Sequence, residues 1–231
     1  MQSSMPSINT PIWKIDPLNP QPEALALAAE VVQGGGVIVY PTETLYGLGA
    51  DPMQERAVER VFLVKGRGFG KPLPLIAASL EDAMGVAANW SRVAKRLAKA
   101  FWPGPLTMVL AASDRVHPAL HAGTGKVALR ISSHPAAHGL CRACGGLLIS
   151  TSANISAHPP FEDPDILPAT FLAAIDGVLH AGRLPAQLPS TIVDLTSRPV
   201  RRLRAGAIPW EAIERMLVDE SPDPGQEDMI P

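Results

Sequence analysis

Four short segments of the sequence combine residue types that could bind or transform a small molecule. The first, PTETLYGLG over residues 41–49, places two threonine hydroxyls, a carboxylate and two glycines directly after the apolar run 37–40. Ligands in α/β sheets usually sit where strands end, and glycine permits a close approach to the backbone. The segment therefore indicates one wall of a ligand site, with a tight turn capped by threonine as the alternative.

The second segment, KGRGFGKP over residues 65–72, contains three cations and three glycines within eight residues. Backbone N–H groups can cradle phosphate oxygens, and Lys65, Arg67 and Lys71 would neutralise their charge. It is not a Walker A loop, because Lys65 stands where that motif needs glycine and Pro72 where it needs Ser or Thr. We interpret the segment as a polyphosphate-binding loop, with a flexible surface loop as the alternative.

The third segment, STSAN over residues 150–154, also follows an apolar run that reads as a buried strand. Its hydroxyls and amide could donate to phosphate or ribose without adding charge. Capping of a helix by Ser or Asn explains the same residues equally well.

The fourth segment places His134, His138, Cys141 and Cys144 within eleven residues. On a helix the first three would share one face, so a zinc site is conceivable. Cysteine and histidine also fill apolar helix faces, and the spacing differs from that of known zinc motifs. We therefore favour a structural role for these four residues and expect no metal ligand from the protein.

These segments must be positioned by helices and strands. Helix and strand patterns alternate along the sequence, and each is bounded by Gly or Pro. Apolar periodicity predicts helices over residues 22–33, from an Asp51 cap to Lys65, from a Ser91 cap to Phe101, and over 209–217. Strands are predicted over residues 37–40, 106–111, 127–131, 147–150, 177–180, 191–195 and 200–203. Several strands follow one another too closely for helical crossovers. We therefore expect an α/β (α+β) fold with a mixed sheet rather than a doubly wound parallel sheet.

Composition excludes several classes of protein. The 231 residues suit one domain, and 46% hydrophobic with 18% charged residues excludes a disordered chain. A formal charge of −2 argues against nucleic-acid binding through bulk positive charge. No apolar stretch is long enough for a membrane span, and residues 1–20 contain no secretory apolar run. We expect a cytoplasmic protein without membrane contact.

Taken together, in order and spacing, these segments resemble the YrdC family. The matching runs are PTETxYGLG (41–49), KGR (65–67), PL (72–73), WPGPLT (102–107), VALRI (127–131), SAN (152–154), PSTI (189–192) and RxG (204–206). Any one of them is weak, but eight collinear runs are specific. The resemblance implies a YrdC-like domain over residues 14–217, built on a twisted mixed sheet flanked by helices with a large concave ligand-binding face. We expect residues 1–13 to be an extension and the acidic tail 218–231 to be disordered.

The resemblance also implies an activity. L-threonine, bicarbonate or CO2, and ATP carrying magnesium would give L-threonylcarbamoyladenylate and pyrophosphate. This is a nucleotidyltransferase reaction and the first step of threonylcarbamoyladenosine formation in tRNA. A downstream threonylcarbamoyl-transferase complex would complete the modification, and tRNA itself is a further candidate partner.

The same resemblance assigns the site residues. Lys65, Arg67, Ser152 and Asn154 correspond to the family's catalytic tetrad around the nucleotide. Further ATP contacts are expected from Lys71 of the cationic loop and from Thr107, Ser150, Ser190 and Arg204. Thr42 and Arg130 are expected to hold threonine, with Arg130 gripping its carboxylate. Two departures concern this site, since Gly68 replaces a proline common in relatives and Ile76 stands where some relatives have histidine.

Two alternatives remain open. The first is an RNA-binding module for tRNA or double-stranded RNA, without synthase activity, which would use the basic stretches 92–99 and 198–204. The second is carbamoyl-adenylate chemistry on another acceptor, as in the YrdC-like segment of hydrogenase maturation proteins. Those proteins carry zinc-finger and acylphosphatase segments that we do not find in this sequence.

Overall fold

The computed structural model describes residues 10–68, 70–185 and 187–217. The strands are β1 (Ile12–Lys14), β2 (Ile38–Pro41), β3 (Tyr46–Gly49), β4 (Leu75–Ala77), β5 (Leu106–Ala111), β6 (Lys126–Arg130), β7 (Leu147–Ile149), β8 (Thr151–Ser152), β9 (Gly177–His180), β10 (Thr191–Asp194) and β11 (Arg201–Arg204). The helices are α1 (Pro22–Gln33), α2 (Glu55–Val64), α3 (Leu80–Val86), α4 (Arg92–Phe101), α5 (Pro118–His121), α6 (Pro135–Ala143), α7 (Ala169–Leu172) and α8 (Trp210–Leu217). The predicted disordered tail, 218–231, lies outside the described residues.

The strands form two mixed sheets. The first has the order β1-β9-β2-β3-β8, and the second has the order β11-β10-β5-β6-β4-β7. In each sheet a central strand has one parallel and one antiparallel neighbour: β2 lies between β9 and β3, and β5 lies between β10 and β6. The predicted α/β class with mixed strands and flanking helices is confirmed, whereas the sequence indicated one sheet rather than two.

The core explains why the apolar runs lack alternation. In β2, Val39 joins a large cluster that contains residues of both sheets, including Leu106 of β5. Ile38 and Tyr40 point the other way, into a smaller cluster with α1 and α6. Both faces of β2 are therefore covered, which requires a continuous apolar run. Each large side chain buried in this way contributes about 1.5–3 kcal/mol to the free energy of unfolding.

Two details of helix capping differ in outcome. Ser91 caps α4 as predicted, because its Oγ accepts the N–H of Ala94 at 3.1 Å. The predicted Asp51 cap of α2 is wrong: its Oδ1 accepts the N–H of Met53 at 2.8 Å in a separate turn, and the helix begins only at Glu55. The side chain of Asp51 thus stabilises a turn that precedes the helix, and does not cap the helix itself.

The first sheet reaches closer to the N-terminus than the predicted domain boundary. Strand β1 begins at Ile12 and pairs in parallel with β9, placing Trp13 opposite Leu179. Trp13 also packs so closely on Gly177 that a Cβ there would lie 2.5 Å from its ring.

Among the described residues, no helix has both the length and the hydropathy needed to cross a bilayer.

Candidate functional site

A cavity of about 310 Å³ lies between elements of the two sheets. The first sheet contributes the β2–β3 turn and β8, and the second contributes β5, β6 and the β10–β11 pair. Eight of the predicted site residues line it: Thr42, Arg67, Thr107, Arg130, Ser150, Ser152, Ser190 and Arg204. Residues spread over more than 160 positions of the chain are therefore brought to one concave site of small-molecule size.

Lys65 lies just behind the cavity lining, at the residue that ends α2. It is only 2% exposed, and its Nζ donates to Ser152 O at 2.7 Å and to Asn154 O and Oδ1 at 3.2 and 2.6 Å. Ser152 Oγ donates to the same Oδ1 at 2.8 Å. Burial, with the charge of Arg67, lowers the pKa of Lys65 to about 8. Three members of the predicted tetrad are thus one hydrogen-bonded unit.

Arg67, the fourth member, lines the cavity beside this unit. Its guanidinium lies 5.6 Å from the ring centre of Phe62, which supports it from one face. Its Nε is buried and has no hydrogen-bond partner among the described residues, and burial lowers its pKa. A buried N–H without an acceptor is costly, so this donor fits an anionic ligand.

Three further predicted residues form a second polar group across β5, β10 and β11. The hydroxyls of Thr107 and Ser190 are 2.8 Å apart and share a hydrogen bond. Arg204 donates through Nη2 to Ser190 Oγ at 2.8 Å and through Nε to Ser190 O at 3.0 Å. Burial and the nearby charge of Arg130 lower the pKa of Arg204, as expected where cations are concentrated.

The β2–β3 turn provides two threonine hydroxyls, which differ in their hydrogen bonds. Thr42 Oγ1 donates to Leu45 O at 2.6 Å and accepts the N–H groups of Thr44 and Leu45, so its proton is used within the turn. Thr44 Oγ1 lies 3.1 Å from Thr42 Oγ1 and must be the donor of that pair. Both line the cavity, and Thr44 keeps free lone pairs there. Thr44 belongs to the same predicted ligand segment, but only Thr42 was assigned to threonine binding from the sequence.

Arg130 lies at the end of β6 and is joined to Glu43 and Ser132, neither of which was assigned a role from the sequence. Its Nη1 donates to Glu43 Oε1, and Ser132 Oγ donates to Glu43 Oε2. The side chains of Arg130 and Glu43 are only 8% and 13% exposed. Nothing in the sequence pattern pairs a turn residue with a strand end 87 positions away.

Lys71, a predicted ATP contact, lies away from the cavity, whereas Ile76 stands in the cavity wall as a departure from some relatives. Lys71 is exposed and is not among the lining residues, so the structure does not bring it to the cavity. Ile76 does line the cavity, and its apolar side chain supplies no polar contact at the position where some relatives have histidine.

The four His and Cys residues make separate contacts in the structure. His134 Nδ1 caps α6 by accepting the N–H of Ala136, whereas His138 Nε2 donates to Ala78 O at 2.8 Å. Cys141 donates its S–H to backbone oxygens, and burial raises its pKa. Burial likewise raises the pKa of Cys144 to about 12. Zinc ligation needs thiolates, so this setting opposes it.

A separate group, Asp163, Asp165 and His180, has ligand atoms close enough to share a cation. His180 Nδ1 accepts the N–H of Gly182 at 3.0 Å, so the imidazole proton sits on Nε2. That Nε2 faces Asp165 Oδ1 at 3.0 Å and donates to it. Because Nε2 has no free lone pair, we interpret the group as a hydrogen-bonded pair rather than a metal site.

The fold and the cavity together define a class: an α/β protein with an arginine-lined cavity of small-molecule size between its two sheets. A family model described as telomere recombination, for Sua5, YciO and YrdC proteins, matches residues 30–206. The chain belongs to the Sua5/YciO/YrdC family, which confirms the resemblance drawn from its motifs.

Named relatives support the enzyme class that we predicted. A threonylcarbamoyl-AMP synthase of Pyrococcus abyssi is 36% identical over 193 residues, covering 84% of this chain and 57% of the relative. The chain thus spans little more than half the length of that protein. A threonylcarbamoyl-AMP synthase of Nitrosococcus oceani is 37% identical over 178 residues, covering 77% of this chain and 95% of the relative. Both names denote nucleotidyltransferase-type enzymes.

Solved structures show the same fold. P. abyssi Sua5 complexed with L-threonine superposes with a TM-score of 0.82 at 34% identity, covering 89% of this chain and 60% of that one. Escherichia coli YciO superposes with a TM-score of 0.81 at 29% identity, covering 88% of this chain and 99% of that one.

Proposed function

We propose that the protein is an ATP-dependent L-threonylcarbamoyladenylate synthase that uses L-threonine and bicarbonate or CO2 and releases pyrophosphate. The observation that carries the proposal is the buried Nε of Arg67, which lacks a hydrogen-bond partner within the described part of the chain and lies beside the Lys65–Ser152–Asn154 unit. A triphosphate would supply the acceptors that this cluster lacks. The names of the relatives support the same reaction.

The reaction as proposed needs no protein nucleophile. The amine of threonine adds to CO2 and loses a proton, which gives a carbamate. A carbamate oxygen then attacks the α-phosphorus of ATP, and pyrophosphate leaves. Catalysis of such a step consists of positioning the two substrates and neutralising the charge on the departing group.

The residues divide between the two substrates. Arg67 would hold the phosphates, with the positive charge of Lys65 behind it, and Arg204 with Ser190 would hold a second part of the nucleotide. Arg130 and the β2–β3 turn would hold threonine. Magnesium would arrive on the ATP, and since the cavity lining of residues 10–68, 70–185 and 187–217 contains no carboxylate, its ligands would be phosphate oxygens and hydroxyls.

The biological setting follows from the chemistry. A mixed anhydride of a carbamate and AMP is an activated intermediate, so a downstream threonylcarbamoyl-transferase complex would consume it. We propose that this step begins threonylcarbamoyladenosine formation in tRNA and that it takes place in the cytoplasm.

The test incubates the purified protein with ATP, magnesium, bicarbonate and a panel of amino acids, and follows pyrophosphate release. Threonine-dependent release, lost when bicarbonate is removed, is the expected result. Serine and valine are matched controls, because they lack the methyl group and the hydroxyl of threonine respectively. The absence of release with every amino acid would overturn the proposal.

The predicted RNA-binding alternative has one observation in its favour. Arg201 and Arg202 are exposed on β11, at the edge of the second sheet, and Lys95 and Lys99 are exposed on α4. Binding through such cations would weaken steeply with salt. A salt-sensitive filter-binding signal, in a protein that releases no pyrophosphate, would favour this function instead.

A further inference from the structure

One buried ion pair joins the two walls of the cavity. Glu43 belongs to the β2–β3 turn of the first sheet, and Arg130 ends β6 of the second. The backbone pairs of the described strands do not join these two elements directly, and the nearest backbone link between the sheets runs from Ile149 N–H of β7 to Ala50 O, just after β3, at 3.0 Å. The shared core holds the two sheets together, and this side-chain contact joins the threonine turn directly to the Arg130 guanidinium.

Glu43 acts from outside the cavity. Arg130, Thr42 and Thr44 are lining residues, but Glu43 between those threonines is not. One of its carboxylate oxygens accepts from Arg130 Nη1 and the other from Ser132 Oγ. With a donor on each oxygen and little exposure, the carboxylate is committed to these partners.

The consequence for Arg130 is orientation. A guanidinium is a planar fork, so fixing one nitrogen against a carboxylate also fixes the plane in which its other N–H groups lie. Ser132 holds the carboxylate in turn, which gives a chain of three side chains ending at the cavity. An arginine oriented in this way is suited to grip a small carboxylate in one register.

We propose that Glu43 is a positioning residue for the amino-acid substrate, which orients Arg130 and holds it against the β2–β3 turn. This inference rests on the proposed function, because it takes threonine as the ligand of Arg130. Glu43 then contributes to the affinity for threonine and does not contribute to the affinity for ATP.

The test measures KM for threonine, KM for ATP and kcat in E43A, E43Q and S132A, with melting temperature as the check on folding. E43A should raise the KM for threonine by about 10- to 100-fold, the usual cost of losing the partner that orients a binding group. The KM for ATP should stay within about twofold of the wild-type value. E43Q keeps an oxygen for Arg130, so a smaller rise is expected, and S132A should give the smallest.

The matched control is D176N, which weakens another ion pair at a distance from the cavity. Asp176 contacts Arg60 at 2.7 Å and accepts the N–H of Val37 at 2.7 Å. This variant should lower the melting temperature and leave both KM values unchanged.

Three outcomes would overturn the inference. An unchanged KM for threonine in E43A would remove the positioning role, and a parallel rise in both KM values with a lowered melting temperature would make Glu43 merely structural. A lower KM for threonine in E43Q would mean that Glu43 competes with the substrate for Arg130. Since these outcomes require an active wild type, they differ from failure of the proposed function, in which the wild type itself releases no pyrophosphate.

Discussion

The two ends of the cavity differ in how their cations are balanced. At the nucleotide end, Lys65, Arg67 and Arg204 bond only to neutral oxygens within the described residues. At the amino-acid end, Arg130 is paired with the carboxylate of Glu43. The first end keeps a net positive charge and the second is close to neutral. Each charge matches one proposed substrate, because ATP is a polyanion and threonine is a zwitterion.

The largest expected effect comes from removing charge at the nucleotide end. Lys65→Ala or Arg67→Ala should each lower kcat/KM for pyrophosphate release by about 10²–10³, the range found when one group that stabilises developing charge is deleted. Initial rates with saturating threonine measure it. Lys99→Ala, which removes an exposed cation from α4, is the control and should leave the rate unchanged. Near-normal turnover in both site variants would refute the charge assignment.

Much of the nucleotide end of the cavity could be predicted from the sequence. The tetrad residues stand in short motifs, and the sequence reveals both the amphipathic helix that delivers Lys65 and the apolar run of the strand that precedes Ser150. What it could not give is the pairing of strands, since register is decided by partners far away in the chain. Strands β3 and β4 were not predicted from the sequence.

The amino-acid end was less predictable for a physical reason. The contact between Glu43 and Ser132 spans 89 positions and links two sheets, so no local pattern encodes it. Thr42 and Thr44 look equivalent in the sequence, and only the turn geometry decides which hydroxyl proton is already used. Lys71 illustrates the converse: its type and spacing suggested a phosphate ligand, but the loop leaves it exposed.

The pH dependence of the two KM values should distinguish the two ends of the cavity, with a smaller change than the charge deletions cause. Because the pKa of Lys65 is lowered to about 8, its ammonium loses its proton as pH rises through that value. The KM for ATP should therefore rise above pH 8, by up to about tenfold per pH unit, while the KM for threonine follows a different course. ATP binding near pH 8 should also take up protons, which calorimetry in two buffers of different ionisation enthalpy would detect.

Lys65→Met is the control for this profile, because methionine fills similar space and does not titrate. The rise in the KM for ATP above pH 8 should disappear in this variant. A rise that persists there would assign the titration to another group.

Thr44 offers a test of the amino-acid end at the level of one hydrogen bond. Thr44→Val keeps the shape and removes the hydroxyl lone pairs, so the KM for threonine should rise by up to about tenfold, the worth of a single neutral hydrogen bond. Thr44→Ser should retain most of the affinity. Equal KM values for threonine in the wild type and the valine variant would exclude a substrate contact.

Lys71 should give the smallest effect. An exposed cation contributes about 0–1 kcal/mol to an ionic contact, so Lys71→Ala should change the KM for ATP by less than about fivefold. The measurement is a steady-state titration of ATP at low ionic strength, where surface charges act most strongly. A hundredfold rise in the KM for ATP would mean that Lys71 contacts the nucleotide, as the composition of this segment predicted.

The most direct measurement is a crystal structure of the protein with a non-hydrolysable ATP analogue and threonine. We expect phosphate oxygens within hydrogen-bonding distance of Arg67 Nε, the threonine carboxylate on Arg130, and the pair between Arg130 and Glu43 intact. Phosphates bound away from Lys65 and Arg67, or an Arg130 that leaves Glu43 to reach the substrate, would contradict the division of the cavity into a cationic end and a balanced end.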